Sequence, residues 1–147
     1  MKKALPPIYL LLALAVMTGL HLAAPVHRYW SFPLALAGAV PLVLGILLIV
    51  TADRQFKRHE TTVKPFQRSS ALVTAFPFSI SRNPMYLGMS LLLLGVALLL
   101  GTVTALIPVV VFPYVMDRLF IRVEEKMLAE TFGREWEEYQ SRVRRWV

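Results

Sequence analysis

NPMYLGMSLLLLGVALLLGTVTALIPVVVFPYVM, residues 83–116, runs for 34 residues without a charged side chain, bounded by Arg82 and Asp117. As a single α-helix it would be about 50 Å long, well beyond the roughly 30 Å of hydrocarbon in a bilayer. The stretch must therefore fold back. Gly101-Thr102-Val103-Thr104 breaks the leucine run with a glycine and β-branched residues, and the reversal is expected there. Two short spans result, 84–100 and 105–117, with Pro108 and Pro113 expected to kink the second.

Upstream, the uncharged stretches 4–24 and 32–52 are each 21 residues long, enough for one crossing apiece. The start, Met1-Lys2-Lys3 and then apolar residues to Ala23-Ala24, has the shape of a secretory signal peptide. Its apolar run is longer than the usual core of about 7–15 residues, so it reads better as a first membrane helix. The expected fold is all-α and integral to the membrane: four transmembrane helices, a hairpin of helices three and four, and a cytoplasmic amphipathic helical segment at the C-terminal end. Four crossings place both termini on one side, and the distribution of cations tests that count independently. Fifteen of the sixteen Lys and Arg fall in the N-terminus, in 53–83 or after Asp117; only Arg28 falls in the opposite loop, beside Tyr29 and Trp30, which suit an interfacial anchor.

The composition agrees. Of 147 residues, 56% are hydrophobic and 17% charged, outside the soluble range. The net charge of +7 is broken up by apolar runs rather than gathered on one soluble face, which points to anionic membrane lipids as partner and not to nucleic acid. The absence of cysteine removes disulfides and thiolate chemistry, and His21, His27 and His59 lack ligand spacing, so no metal is expected.

The segment 53–83 mixes Arg54, Lys57, Arg58, Lys64 and Arg68 with Pro65, Pro77 and the apolar Ala71-Leu72-Val73, and is expected to be partly buried. After Arg118, Ile121, Glu125, Leu128 and Phe132 share a helical face up to a stop at Phe132-Gly133, and a short amphipathic helix over 134–142 should follow.

Two groups could carry chemistry. One is Arg82-Asn83-Pro84-Met85-Tyr86-Leu87-Gly88, where Pro84 can open a helix whose first backbone N–H groups are free. The other is Glu124-Glu125. A hairpin brings the two together at the cytoplasmic surface, where apolar walls, Arg82, Tyr86 and one glutamate could form a pocket lidded by the segment bearing Leu72 and Phe78. Adjacent helical residues point about 100° apart, so one glutamate should face a ligand while the other pairs outward. Plainer roles compete: Arg82 and Tyr86 as interfacial anchors, Glu124-Glu125 as a solvated face paired with Arg118, Arg122 or Lys126, and His21 as a packed side chain.

Leu72-Val73-Thr74, Arg82 to Gly88, Glu124-Glu125 with Leu128, Phe132-Gly133, Tyr139, and Val143 with Trp146 together resemble the isoprenylcysteine carboxyl methyltransferase and phospholipid methyltransferase superfamily over residues 61–146. The resemblance implies a methyltransferase that takes S-adenosyl-L-methionine from the cytosol and a lipophilic acceptor (isoprenoid, prenylcysteine-like or phospholipid-like) from the bilayer. It implies cofactor-binding positions at Ser70, Ala71, Leu72, Val73, Phe78, Asn83, Pro84, Met85, Tyr86, Glu124 and Glu125. Arg82, or Arg58, could orient an anionic acceptor as the catalytic arginine. The sequence departs from the family at Phe76, where Gly is frequent, and at Asn83, where His is frequent and Asn is the bacterial form, in keeping with a bacterial inner membrane. The family's substrate-carboxylate arginine matches Phe120, with Arg118 and Arg122 nearby as the acceptor-side candidates, which argues against a carboxylate acceptor. Two alternatives remain: an NADPH-dependent membrane reductase of the related sterol-reductase type, and a non-catalytic lipid-binding or assembly module.

Overall fold

The computed structural model describes residues 5–27, 33–61 and 69–147. Among them every regular element is helical: α1 (Pro6–Ala23), α2 (Ala39–Arg58), α3 (Pro84–Leu100), α4 (Ile107–Met116), α5 (Arg122–Phe132) and α6 (Arg134–Arg142). A 3-10 turn, Leu34–Gly38, leads into α2, and another, Val103–Leu106, leads into α4. A π turn, Asp117–Ile121, joins α4 to α5, so one helical path runs over Val103–Phe132. Arg28, Tyr29 and Trp30, the basic loop positions Lys64 and Arg68, and Pro65 lie outside the described residues.

Pro6–Ala23, Ala35–Arg58 and Val103–Phe132 are long and apolar enough to cross a bilayer, and the apolar Pro84–Leu100 is 17 residues long. The second helix ends six residues beyond the expected 52. Asp53 and Lys57 pair at 2.6 Å one turn apart, and Lys57 and Arg58 place positive charge at the C-terminal end of the helix dipole. The first part of the expected loop is thereby helical, and Phe56 is carried toward the start of α3.

Glycines set how α2 meets α3. A Cβ built on Gly45 would lie 2.5 Å from the Gly88 carbonyl, and one on Gly88 would lie 2.7 Å from the Gly45 carbonyl. Gly38 and Gly95 face each other in the same way, at 2.5 and 2.7 Å. The seven-residue spacing on both helices puts the two contacts on one seam of an antiparallel pair, where only hydrogen side chains allow the backbones to touch. The ends at Arg58 and Pro84 therefore lie at the same end of the bundle.

At the opposite end Gly101 caps α3 with φ +69°, a left-handed conformation that glycine adopts without strain, and the chain turns there. α4 packs on α3, and α1 packs on both. Tyr9 meets Phe120 edge to face at 5.5 Å, while about 18 Å further along α1 His21 Nδ1 lies 3.1 Å from Thr102 Oγ1, so α1 runs parallel to α3. Met17, Leu93, Ala97, Ala105, Met116 and Phe120 are fully buried between these helices.

Candidate functional site

The bundle end that gathers the starts of α1 and α3 also holds the end of α2 and the length of α5, and between them lies a cavity of about 310 Å³. Leu5, Pro6 and Pro7 form one wall and Phe56 another. Ser69, Ala71, Leu72, Val73 and Phe78 cover it from the segment before α3. Arg82 to Tyr86 and Met89 come from the α3 side; Glu124, Glu125, Met127 and Leu128 come from α5, and Trp136 and Tyr139 from α6. The walls are mostly apolar with a few convergent polar groups, the usual make-up of a small-molecule site.

Pro84 stands at the first position of α3, where its missing N–H costs nothing. The corner before it is held by Ser81, whose Oγ accepts the Asn83 N–H at 3.1 Å. The Asn83 side chain does not cap α3; its Nδ2 donates to the Arg145 carbonyl at 3.1 Å. One turn into α3, the Tyr86 hydroxyl donates to Glu124 Oε1 at 2.8 Å. Glu124 has no cation partner among the described residues.

Its neighbour is in a different position. Arg82 donates from Nε and Nη2 to Glu125 Oε1 at 3.1 and 3.0 Å, and Arg145 donates from Nε and Nη2 to the same carboxylate. Glu125 is 8% exposed, so the second glutamate pairs inward with two arginines and not outward as the sequence suggested. Such a charge is tolerable because each carboxylate oxygen is satisfied by a guanidinium. Arg145 Nη1 also reaches Asp117 Oδ1 at 3.1 Å, and Arg122 binds Asp117 Oδ2 at 2.8 Å. The hydrogen bond to Glu125 and the nearby carboxylates hold the Arg145 guanidinium above its usual pKa.

Asp117 opens the π turn, in which the Arg122 N–H bonds the Asp117 carbonyl five residues back. Pro113 stands four residues earlier without an N–H to give the α-helical ladder, and π turns occur where that ladder is disturbed. The path past Pro108 and Pro113 stays helical and widens locally at Asp117–Ile121.

Tyr139 closes the floor: its hydroxyl donates to the Phe78 carbonyl at 2.7 Å. Burial pushes its phenol up to about 12, with Arg82 opposing and Glu125 adding, so it remains a donor across the physiological range. Phe78 meets Phe56 edge to face at 5.0 Å, and the Arg82 guanidinium lies over the Trp136 ring at 5.7 Å.

The cavity thus gathers Ala71, Leu72, Val73, Phe78, Arg82, Asn83, Pro84, Met85, Tyr86, Glu124 and Glu125. Other candidates stand elsewhere. Ser70 is exposed and bonds the Glu60 carbonyl at 3.3 Å, while its neighbour Ser69 lines the cavity. Arg58 is exposed at the end of α2, carried away by the extra helical turn. Arg118 lies over the exposed Tyr114 ring at 5.1 Å, and Arg122 is spent on Asp117. Phe120 is fully buried behind Tyr86, its ring 6.3 Å from that of Tyr86. Phe76 points outward, 54% exposed. Sequence reasoning missed Arg145 and the Trp136 wall; the spacing of Trp136, Tyr139 and Val143 on one helical face was the available signal for the second. Among the described residues no group of His, Cys, Asp and Glu is placed to hold a metal ion.

A family model described as phospholipid methyltransferase matches residues 34–135, the greater part of the chain, including the α2, α3 and α5 walls of the cavity and the segment before α3. The chain belongs to the phospholipid methyltransferase family. This family member is 35% identical over 126 aligned positions to the protein-S-isoprenylcysteine O-methyltransferase of Saccharomyces cerevisiae, covering 76% of this chain and 51% of that protein. It is 44% identical over 61 positions to the phosphatidyl-N-methylethanolamine N-methyltransferase of the same yeast, covering 42% of this chain and 29% of that protein. The chain spans about half the length of the first relative and under a third of the second. Both relatives are methyltransferases by name, and with three helices of spanning length the family member is an integral membrane protein.

Proposed function

We propose that the chain is an S-adenosylmethionine-dependent methyltransferase whose acceptor is a lipophilic molecule reached from the bilayer. The observation that carries this reading is the Tyr86–Glu124 pair at 2.8 Å on the rim of a largely apolar cavity, with no cation beside the carboxylate among the described residues. The donor set fits the cofactor. The volume of about 310 Å³ is at the lower end for small-molecule sites. Glu124 can accept from ribose hydroxyls or an amino group, Asn83 and backbone groups can hold the adenine edge, and Phe78 can stack against an aromatic ring. Met85 and the Ala71-Leu72-Val73 strip supply apolar contact.

When bound, S-adenosylmethionine supplies a methyl group on a positively charged sulfonium. The part of the chain is positioning and exclusion of water. Arg82 lines the cavity but is engaged with Glu125, so its role here is to hold that wall; a free guanidinium for an anionic acceptor is better sought at Arg118, on the outer face. An amine or hydroxyl acceptor must shed a proton, and Glu124, linked to Tyr86, is the cavity carboxylate free of an arginine to receive it.

A groove of about 200 Å³ between α1 and α4 supports a lipophilic acceptor. Leu12, Val16, Val111 and Phe112 line it, and Leu12 and Val111 are exposed toward the surroundings of the bundle. Phe120 packs against Tyr9, which lines this groove, and against Tyr86, which lines the main cavity. In this reading α1 to α4 make four crossings, the cavity opens to the cytoplasmic side of a bacterial inner membrane, and the basic segments face the anionic surface.

Titration calorimetry of the purified protein with S-adenosylhomocysteine and, separately, NADPH tests the reading. Saturable binding of the first and none of the second is expected; the reverse would replace the methyltransferase by a reductase.

A further inference from the structure

Residues 140–146 turn back across the base of α3. The Arg82 N–H bonds the Arg144 carbonyl at 3.0 Å, and Arg82 Nη1 bonds the carbonyls of Val143 and Gln140 at 2.8 and 3.3 Å. The Arg145 carbonyl receives both Ser81 Oγ and Asn83 Nδ2. Its side chain forks onto Glu125 in α5 and reaches Asp117 at the mouth of the π turn, 20 and 28 residues earlier in the chain. One residue therefore ties two pieces of the cavity wall, the Asn83 corner and Glu125, to the π turn at Asp117, three places that the sequence keeps far apart.

We propose that Arg145 is a positioning residue for the donor-binding half of the cavity. The inference rests on the reading of that cavity as a cofactor site. Two effects follow from the contacts. Because Asn83 gives its amide nitrogen to the tail, its Oδ1, with no hydrogen bond to it among the described residues, presents an acceptor. Because Glu125 is fixed by two guanidinia, the rotation of α5 is set, and Glu124, about 100° around the helix, is directed onto Tyr86. Arg82 reaches only Oε1 of Glu125, whereas Oε2 of Glu125 and Oδ1 of Asp117 take their hydrogen bonds from Arg145. The planar fork is what the geometry uses, since a lysine ammonium can approach one carboxylate as a point charge but cannot span both Glu125 oxygens and Asp117 together.

The test uses full-length R145M and R145K in nanodiscs. S-adenosylhomocysteine affinity is measured by calorimetry, thermal unfolding by tryptophan fluorescence, and acceptor KM with a lipid identified for the unaltered protein. R145M is expected to weaken S-adenosylhomocysteine binding at least tenfold and R145K by three- to tenfold, with acceptor KM within twofold. A merely structural role would lower the melting temperature and leave the affinity of the folded fraction and the KM ratio alone. An R145M that melts cooperatively and binds within twofold of the unaltered protein overturns the proposal. If R145M does not fold, R145K decides, and binding equal to the unaltered protein is again an overturning result. Failure of the unaltered protein to bind S-adenosylhomocysteine removes the cofactor-site reading and the proposal with it, and its own isotherm separates that failure from the others.

Discussion

Tyr86 and Glu124, 38 residues apart in sequence, meet through a hydrogen bond of 2.8 Å. That contact, with Arg82 on Glu125 one residue further along, means both ends of the long uncharged stretch lie at one end of the bundle. A tyrosine that opens one helix aims a carboxylate on another into an apolar cavity.

Replacing Tyr86 by Phe keeps the ring against Phe120 and removes the hydroxyl. A hydrogen bond to a charged group contributes about 1.5–3 kcal/mol, so S-adenosylhomocysteine affinity is expected to fall about 10- to 100-fold if the aim of Glu124 depends on it. Calorimetry on Y86F, with the melting temperature as control for packing, measures the effect.

The two glutamates should separate binding from stability. Glu125→Gln leaves Arg82 and Arg145 facing a neutral amide in a buried setting, and loss of one partner of such a network costs about 3–5 kcal/mol. Glu124→Gln removes a carboxylate with no cation partner among the described residues, so stability should change by less than about 1 kcal/mol while donor binding is lost. Equal melting shifts for the two variants in detergent would contradict this division.

The glycine seam predicts a third contrast. Gly45→Ala drives a methyl group against the Gly88 carbonyl, where an ideal Cβ would sit 2.5 Å away, and backbone cannot yield as a side chain does. Overpacking of this kind costs about 1–3 kcal/mol. Gly19→Ala, whose Cβ meets nothing within 4 Å, should be neutral or slightly stabilising. Thermal melts of the two variants side by side check it.

Phe120 packs between Tyr9, which lines the groove between α1 and α4, and Tyr86, which lines the cavity. Phe120→Ala should cost about 3–5 kcal/mol, as for a fully buried aromatic, and should join the two spaces. Binding of an apolar fluorescent probe is expected to rise in the variant that remains folded, and no change in probe binding would mean the groove is independent of the cavity.

The break in the long uncharged stretch was legible because it rested on a length: 34 residues as one helix would exceed a bilayer, and α3 does end at Gly101. The cavity corner was legible for a similar reason, since Pro84 can only open a helix and the polar groups flanking it must converge or be solvated. What the sequence hid depends on partners. Gly38, Gly45, Gly88 and Gly95 are visible at heptad spacing, yet in helices apolar on every face no periodicity says which neighbour they meet. Arg145 stands among Arg134, Arg142 and Arg144, and nothing in the sequence singles it out until Glu125 and Asp117 are brought within reach. Arg58 stands exposed at the end of α2, which the Asp53–Lys57 pair helps to prolong beyond the expected 52, a length the hydropathy of the span alone does not give.

The most direct measurement is transfer of a labelled methyl group. Membranes containing the protein are incubated with methyl-labelled S-adenosylmethionine, and the lipid and aqueous fractions are separated. Label in the lipid fraction with the unaltered protein, and none with E124A that still melts cooperatively, is the predicted result. Equal label in both samples, or label confined to the aqueous phase, would contradict methylation of a bilayer-borne acceptor at this cavity.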